Sequence, residues 1–153
     1  MATVGMGPVR ETSTSDLQLN APHLNAKETI GVDVGNPHLV ALFADRPALD
    51  AAADGFARTD RNVEFVVAGP GKGQLTMRVV ERGVGETQAC GTGACAAAWA
   101  AQRWGLAGDR VTVSMPGGDV LVELGDEVRL TGPSVHIADV EWADVEWADV
   151  EWP

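Results

Sequence analysis

Several features are scarce in this chain of 153 residues, and each scarcity excludes a class of protein. The two cysteines are too few for a disulfide scaffold, and the three histidines are scattered without the spacing of a metal site. No apolar run reaches the roughly 18 residues that a membrane-spanning helix requires. Residues 1–10 lack the basic and apolar segments of a secretory signal, so we expect a cytoplasmic protein with reduced thiols.

Basic residues are also scarce, since 11 lysines and arginines stand against 22 acidic residues, a formal net charge of −11. Nucleic acids and anionic membranes bind positive surfaces, so neither is an expected partner. Much of the excess lies in residues 138–153, where Ala-Asp-Val-Glu-Trp occurs three times. A period of five suits neither strand nor helix, and we expect an acidic disordered tail. The alternative is an adhesive strand that binds another chain through its tryptophans.

The remaining residues predict an α+β fold with a mixed or antiparallel sheet rolled around a central alanine-rich helix. Arg46 to Asp54 predicts a short surface helix with Pro47 near its start. Ala94 to Trp104 is apolar on almost every side and stops at Gly105, which predicts a buried helix. Strands are predicted at 2–6, 28–34, 39–43, 62–67, 74–80, 111–115, 120–124 and 128–130, with a weak extended segment in 11–20 and a bend at Pro37.

The densest chemistry runs from Glu81 to Cys95. Cys90 stands directly before the buried helix, whose first turn reads Gly-Thr-Gly. A helix N-terminus presents N–H groups and partial positive charge, which stabilise a thiolate and bind a carboxylate or phosphate. We therefore expect the pKa of Cys90 to be lowered, and Arg82 offers a second clamp for a carboxylate.

Each of these residues also has a structural interpretation. Cys90 can be a small buried apolar residue, whereas Cys95, about 140° further round the helix, is expected in the core. His38 is either a structural histidine at the predicted bend or a general base. Asn62 is typical of a residue at the start of a strand. Glu81 is typical of an exposed residue that forms an ion pair with the neighbouring Arg82. The residues alone thus predict an activated thiol beside an anion site.

Five ordered motifs, spanning about residues 28 to 137, resemble the C-terminal half of diaminopimelate epimerases. The most specific is Glu-Arg-Gly-Val-Gly-Glu-Thr-Gln-Ala-Cys-Gly-Thr-Gly-Ala-Cys-Ala-Ala-Ala at 81–98. The others are Val-Asp-Val-Gly-Asn-Pro-His (32–38), Asn-Val-Glu-Phe (62–65), Met-Pro-Gly-Gly (115–118) and Thr-Gly-Pro-Ser-Val (131–135). The resemblance implies an isomerase of lysine and cell-wall precursor biosynthesis that interconverts LL- and meso-diaminopimelate without pyridoxal phosphate or metal.

The resemblance also implies a mechanism and residue roles. Members of the family close two similar lobes on the substrate, and one cysteine from each lobe transfers the α-proton on opposite faces. Cys90 would be the acid/base of this lobe, with His38 and Glu81 setting the protonation of the two thiols. Gly91 and Thr92 would hold the α-carboxylate through their backbone. The side chains implied to bind the diamino diacid are those of Asn36, Asn62, Glu81 and Arg82.

The family's N-terminal lobe, with a Cys-Gly-Asn-Gly motif and the second catalytic cysteine, has no counterpart in this chain. Cys95 lies on the wrong face of the helix to replace that cysteine. We therefore expect residues 1–137 to form one lobe that does not epimerise alone, and whose partner is a separate N-terminal lobe or a second copy of the chain. Two other functions stay open: a non-catalytic stand-alone fragment or binding domain, and a thiol hydrolase using Cys90 with His38. A proline-racemase-type substrate is a further alternative.

Overall fold

A computed structural model of the chain describes residues 1–13, 25–56 and 61–139. Within these ranges, ten strands and two helices form the α+β fold that the sequence predicts. In chain order they are β1 (Ala2–Gly5), β2 (Arg10–Thr12), β3 (Glu28–Asp33), β4 (Pro37–Leu42), α1 (Arg46–Asp54), β5 (Asn62–Ala68), β6 (Gln74–Glu81), β7 (Gly85–Thr87), α2 (Gly91–Arg103), β8 (Arg110–Met115), β9 (Gly118–Glu123) and β10 (Arg129–Gly132).

The strands form one mixed sheet in the order β1-β10-β9-β8-β6-β5-β4-β3-β2, with β7 paired to β6. The β4–β5 and β6–β8 pairs are parallel, and the other pairs are antiparallel. Parallel neighbours need a crossover connection, which α1 supplies between β4 and β5 and α2 between β6 and β8. The edge strands β1 and β2 are separated in the chain by residues 6–9 alone, so the sheet curls to bring its edges together.

The helix α2 lies inside this curl and contacts β3, β4, β5, β6, β8 and β9. Cys90 caps its start, Trp104 caps its end, and Gly105 follows with a φ of +72° that stops the helix. The sheet approaches the helix closely from several sides, which explains the run of small side chains. The buried residues of α2 are Gly93, Ala94, Cys95, Ala96, Ala97, Ala98, Ala100 and Ala101.

The helix α1 covers the opposite, outer face of the sheet. Asp45 caps it by accepting a hydrogen bond from the Ala48 N–H, and Pro47 occupies its first turn. Leu49 of α1 packs in a second apolar cluster with Phe65 of β5. Because α1 covers one face of β5 and α2 the other, Asn62 through Val67 are buried without interruption.

The structure confirms the predicted fold class and adjusts several boundaries. The bounds of α1 are as predicted, whereas α2 begins at Gly91 because Cys90 is its cap. The bend predicted at Pro37 lies just before it, around Gly35 with a φ of +90°, and Pro37 is the first residue of β4. The short strand β7 was not predicted. Residues 14–20 of the predicted extended segment and residues 140–153 of the tail lie outside the described residues.

None of the helices in the described ranges has the length and apolar character needed to cross a membrane.

Candidate active site

The candidate site lies where α2 begins, beside the first residues of β4 and β5 and the end of β6. His38 of β4 and Asn62 of β5 are partners in the parallel register. Glu81 is the last residue of β6, and the hairpin that follows leads through β7 to Cys90. The fold thus brings three distant motifs of the sequence to one end of the buried helix.

Cys90 is 8% exposed and forms the cap of α2 through its side chain. Its Sγ lies 3.4 Å from the Gly93 N–H nitrogen, which donates to it, and 3.5 Å from Thr92 Oγ1. Burial raises the pKa of the Cys90 thiol, the hydrogen bonds from Thr92 and Gly93 lower it, and the negative charge of Glu81 raises it. The predicted lowering of this pKa is wrong, because desolvation outweighs the helix N-terminus. Cys90 therefore rests as a thiol.

Cys95 lies in the core, as expected from its position on the helix. It is fully buried among the alanines of α2, and burial raises the pKa of its thiol to about 12. Both cysteines are free thiols. Cys95 therefore serves packing, and it does not face the candidate site as a second acid/base.

His38 is a buried residue held between two oxygen atoms. Its Nδ1 lies 2.6 Å from Glu64 Oε1, and its Nε2 lies 2.9 Å from Asn36 Oδ1. Both ring nitrogens are thus occupied, and neither bonds to Cys90. The Cys90–His38 pair that a thiol hydrolase requires is not assembled in the described structure.

Glu64 belongs to the site and was not singled out from the sequence. Its side chain is fully buried on the α2 face of β5, and its Oε2 has no hydrogen-bond partner among the described residues. A methyl group at Gly93 would stand 2.7 Å from Glu64 Oε1 and 3.2 Å from Cys90 Sγ, so the carboxyl group reaches the start of the helix. In the sequence, Glu64 is recognisable as the one charged residue within the otherwise apolar stretch Val-Glu-Phe-Val-Val.

Asn62 and Glu81 hold the loop that carries Arg82. The Asn62 Oδ1 accepts a hydrogen bond from the Arg82 backbone N–H at 2.9 Å. Glu81 Oε1 accepts from the Thr87 hydroxyl at 2.5 Å across the β6–β7 hairpin, so Glu81 is not half of an exposed pair with its neighbour. The Arg82 side chain is exposed, and it is the Arg82 backbone that joins the cluster. Arg82 can therefore contact a ligand that approaches from outside the lobe.

An arginine on the outer face of the sheet secures the same hairpin. Arg78 of β6 bonds Glu86 of β7 at 2.6 and 2.7 Å, and it reaches Asp50 at 3.0 Å and Asp54 at 2.7 Å in α1. Its hydrogen bonds lower the pKa of Glu86 below the usual value. This network ties α1 to the hairpin that precedes Cys90.

The first turn of α2 has the form of an anion site. The Gly93 N–H donates to Cys90 Sγ and the Ala94 N–H to the Cys90 carbonyl oxygen. Among the described residues, no acceptor takes up the N–H groups of Gly91 and Thr92. These two groups, beside a thiol, can hold a carboxylate while a proton is transferred at Sγ.

The Met-Pro-Gly-Gly motif supports the approach to this turn. Gly117, between β8 and β9, donates its N–H to the Gln88 carbonyl oxygen at 2.7 Å, two residues before Cys90. A methyl group at Gly117 would stand 2.9 Å from the same oxygen. Glycine is therefore required for this close approach.

Among the described residues, the His, Cys, Asp and Glu side chains form no cluster that could hold a metal ion.

Comparison with known proteins shows which family the chain is similar to. Residues 30–137 match the family model described as diaminopimelate epimerase. The chain is 44% identical over 148 residues to the diaminopimelate epimerase of Rhodococcus opacus, covering 89% of this chain and 50% of the relative. It is 40% identical over 149 residues to that of Bacteroides thetaiotaomicron, covering 91% and 54%. The chain thus spans about half the length of these curated relatives.

The fold has a counterpart among solved structures. A predicted epimerase from Pseudomonas aeruginosa superposes with a TM-score of 0.57 at 18% sequence identity, covering 85% of this chain and 54% of that one. At this identity the likeness shows a shared fold. Because the family model covers residues 30–137 and close relatives match nearly the whole chain, the protein belongs to the diaminopimelate epimerase family of isomerases.

Proposed function

We propose that this chain supplies the C-terminal lobe of a diaminopimelate epimerase, with Cys90 as one of its two proton-transfer groups. The observation that carries the proposal is the placement of Cys90 as the cap of α2, at a helix start where the N–H groups of Gly91 and Thr92 have no acceptor among the described residues. An α-amino acid bound there would have its α-carboxylate at the helix start and its α-carbon next to the thiol.

The proposed reaction moves two protons, one off the α-carbon and one onto it, and breaks no bond between heavy atoms. A thiolate on the partner lobe removes the α-hydrogen as a proton, which leaves the electron pair on the α-carbon. Cys90 then donates its thiol proton to the opposite face and becomes a thiolate. The raised pKa of Cys90 suits this donor role, because the group is protonated before the reaction. In the reverse direction the two sulfurs exchange roles.

The other site residues have supporting roles in this proposal. Asn36, Asn62, Glu81 and Arg82 surround the remainder of the diamino diacid, and the exposed Arg82 binds its distal carboxylate. The family relationship and the half-length match support a substrate cavity closed by a second lobe. That lobe comes from a separate N-terminal lobe or from a second copy of this chain.

Complementation in heavy water tests the proposal. The chain would be mixed with the separately expressed N-terminal half of the Rhodococcus opacus relative, and deuterium at the α-carbon of diaminopimelate would be followed by NMR. We expect exchange with both halves and none with either alone. A complex that forms without exchange would contradict the proposal and support a non-catalytic fragment. Exchange by this chain alone, rising with the square of its concentration, would show instead that a second copy is the partner.

A further inference from the structure

Glu64 is the one fully buried carboxyl group in the described chain, and the mechanism above does not use it. The ionisable groups that face it are His38 from β4, Glu81 from β6 and Cys90 from the start of α2. It bonds to His38, and its second oxygen has no partner among the described residues. A buried carboxylate with an unpaired oxygen is unfavourable, whereas a neutral carboxylic acid loses far less on burial.

The hydrogen bonds around His38 limit where the protons of the His38–Glu64 pair can lie. Both ring nitrogens face oxygen atoms, Glu64 Oε1 at 2.6 Å and Asn36 Oδ1 at 2.9 Å. An amide oxygen only accepts, so Nε2 carries a hydrogen toward Asn36. The bond at Nδ1 then holds one further hydrogen, which resides on the ring or on the carboxyl group. Burial, which raises the pKa of Glu64, favours the carboxyl group.

We propose that Glu64 is a neutral carboxylic acid at neutral pH and acts as a positioning residue. It donates its O–H to His38 Nδ1, which fixes the ring as the Nε2–H tautomer, and the ring donates in turn to Asn36 Oδ1. Since its oxygen is occupied in this way, Asn36 presents its two amide hydrogens to a ligand. The relay therefore orients the Asn36 amide, so that its NH2 group can donate to a ligand such as a carboxylate.

The fold supports this relay at the start of α2. Gly93 leaves the space that the Glu64 carboxyl group fills, since a methyl group there would stand 2.7 Å from Oε1. The parallel pairing of β4 and β5 sets His38 beside Asn62 and two residues from Glu64. The protonation states of Glu64 and His38 are properties of this chain in the absence of substrate. The statement that Asn36 faces substrate rests on the proposed function.

NMR of the full chain, labelled with nitrogen-15 in its histidines, tests the relay without substrate. We expect His38 to show a protonated Nε2 and an unprotonated Nδ1 at neutral pH. With carbon-13 in the asparagines, a coupling across the hydrogen bond should join Nε2 to the amide carbonyl carbon of Asn36. A doubly protonated ring, or a hydrogen on Nδ1, would overturn the proposal.

Two substitutions and an infrared measurement complete the test. Glu64→Gln should keep the His38 tautomer, because the amide donates in place of the O–H, whereas Glu64→Leu should lose it. The infrared difference between the unmodified chain and Glu64→Gln should contain the C=O band of a buried carboxylic acid, and the same difference taken with Glu81→Gln should lack it. A carboxylate band at Glu64 would overturn the proposal. These measurements need no turnover, so a failure of the complementation assay leaves them unaffected.

Discussion

The side chains around Cys90 show how burial and a helix N-terminus oppose each other at one sulfur. A helix N-terminus stabilises a negative charge by about 0.3–1 kcal/mol at exposed sites, whereas full burial shifts a pKa by as much as 3–5 units, or about 4–7 kcal/mol. Cys90 is 8% exposed, so the larger effect decides the direction. The start of α2 thus carries a protonated thiol, and the N–H groups of Gly91 and Thr92 are available to a ligand.

Alkylation of Cys90 should follow this direction. In a Cys95→Ala background, which leaves one thiol, we expect the rate of reaction with iodoacetamide to rise with a midpoint above the ordinary thiol value of 9.0. Thr92→Val should raise the midpoint further, because it removes a hydrogen bond to Sγ. Glu81→Gln should lower it, because it removes a negative charge. A midpoint below 9.0 in the unmodified site would show that the helix N-terminus prevails.

Glu64 should make the stability of the lobe depend on pH. Burial raises the pKa of Glu64 above 4.5, so the folded chain keeps a proton that the unfolded chain releases. That contribution is full below the unfolded pKa and is lost as pH rises toward the folded pKa. As pH rises above 4.5, urea titration should show the free energy of unfolding falling, relative to Glu64→Gln, by up to about 1.4 kcal/mol per pH unit until the folded-state pKa of Glu64 is reached.

The control for this titration is Glu81→Gln, which should keep the fall in stability with rising pH but move its end to lower pH, because the charge of Glu81 contributes to the raised pKa of Glu64. Parallel stability curves for the unmodified chain and Glu64→Gln would contradict a proton held at Glu64.

At the scale of elements, the first turn of α2 is where the helix, β5 and the site meet. Gly93 has ordinary helical geometry, so its role is to leave room for Glu64 and Cys90. Gly91, two residues earlier, faces the flexible Leu130 side chain of β10. The two glycines therefore differ in what a methyl group would meet.

Gly93→Ala should destabilise the lobe by about 1–3 kcal/mol, because a methyl group would meet Glu64 Oε1 at 2.7 Å and both partners are buried. Gly91→Ala is the matched control, since its methyl group meets the movable Leu130 side chain at 3.1 Å. We expect the control to change stability by less than about 1 kcal/mol. Thermal unfolding measures both, and equal Tm values for the two variants would contradict the packing described.

Elements with local signals could be predicted from the sequence, and those set by tertiary contact could not. Pro47 and the alanines of 94–101 carry their own helix signals, and both helices were found. The strand β7 is short and exists through its pairing with β6 and the Arg78–Glu86 contact. The sequence shows Glu64 within a motif but assigns no role to this residue, because its partner His38 lies 26 residues away. The direction of the Cys90 pKa needed the burial of the sulfur, which local sequence does not contain.

At the scale of the whole molecule, the chain spans about half the length of its curated relatives, and the family match ends at residue 137. We propose that residues 1–137 form the lobe and that the repeat of 138–153 lies outside it. The acidic residues of this repeat account for much of the net charge of −11. The net charge of the chain is therefore no guide to the charge around the candidate site.

Deletion of residues 138–153 should therefore leave the lobe intact. We expect the Tm to change by less than about 2 °C. A deletion that begins at residue 128 is the comparison, because it also removes β10, which pairs with both β1 and β9. That chain should unfold at a much lower temperature. A loss of Tm on removing the repeat alone would place it within the folded unit.

The proposed function depends most on Cys90 as an acid/base, and α-proton exchange with single-cysteine variants tests that role most directly. In the complementation mixture, Cys90→Ala should reduce deuterium incorporation into diaminopimelate by at least about 10²-fold, because the acid/base group is lost. Cys95→Ala, a change of the same size in the same helix, should lower stability by about 1 kcal/mol and leave exchange near that of the unmodified chain. Exchange that survives Cys90→Ala, or that is lost equally in Cys95→Ala with the fold intact, would contradict the account.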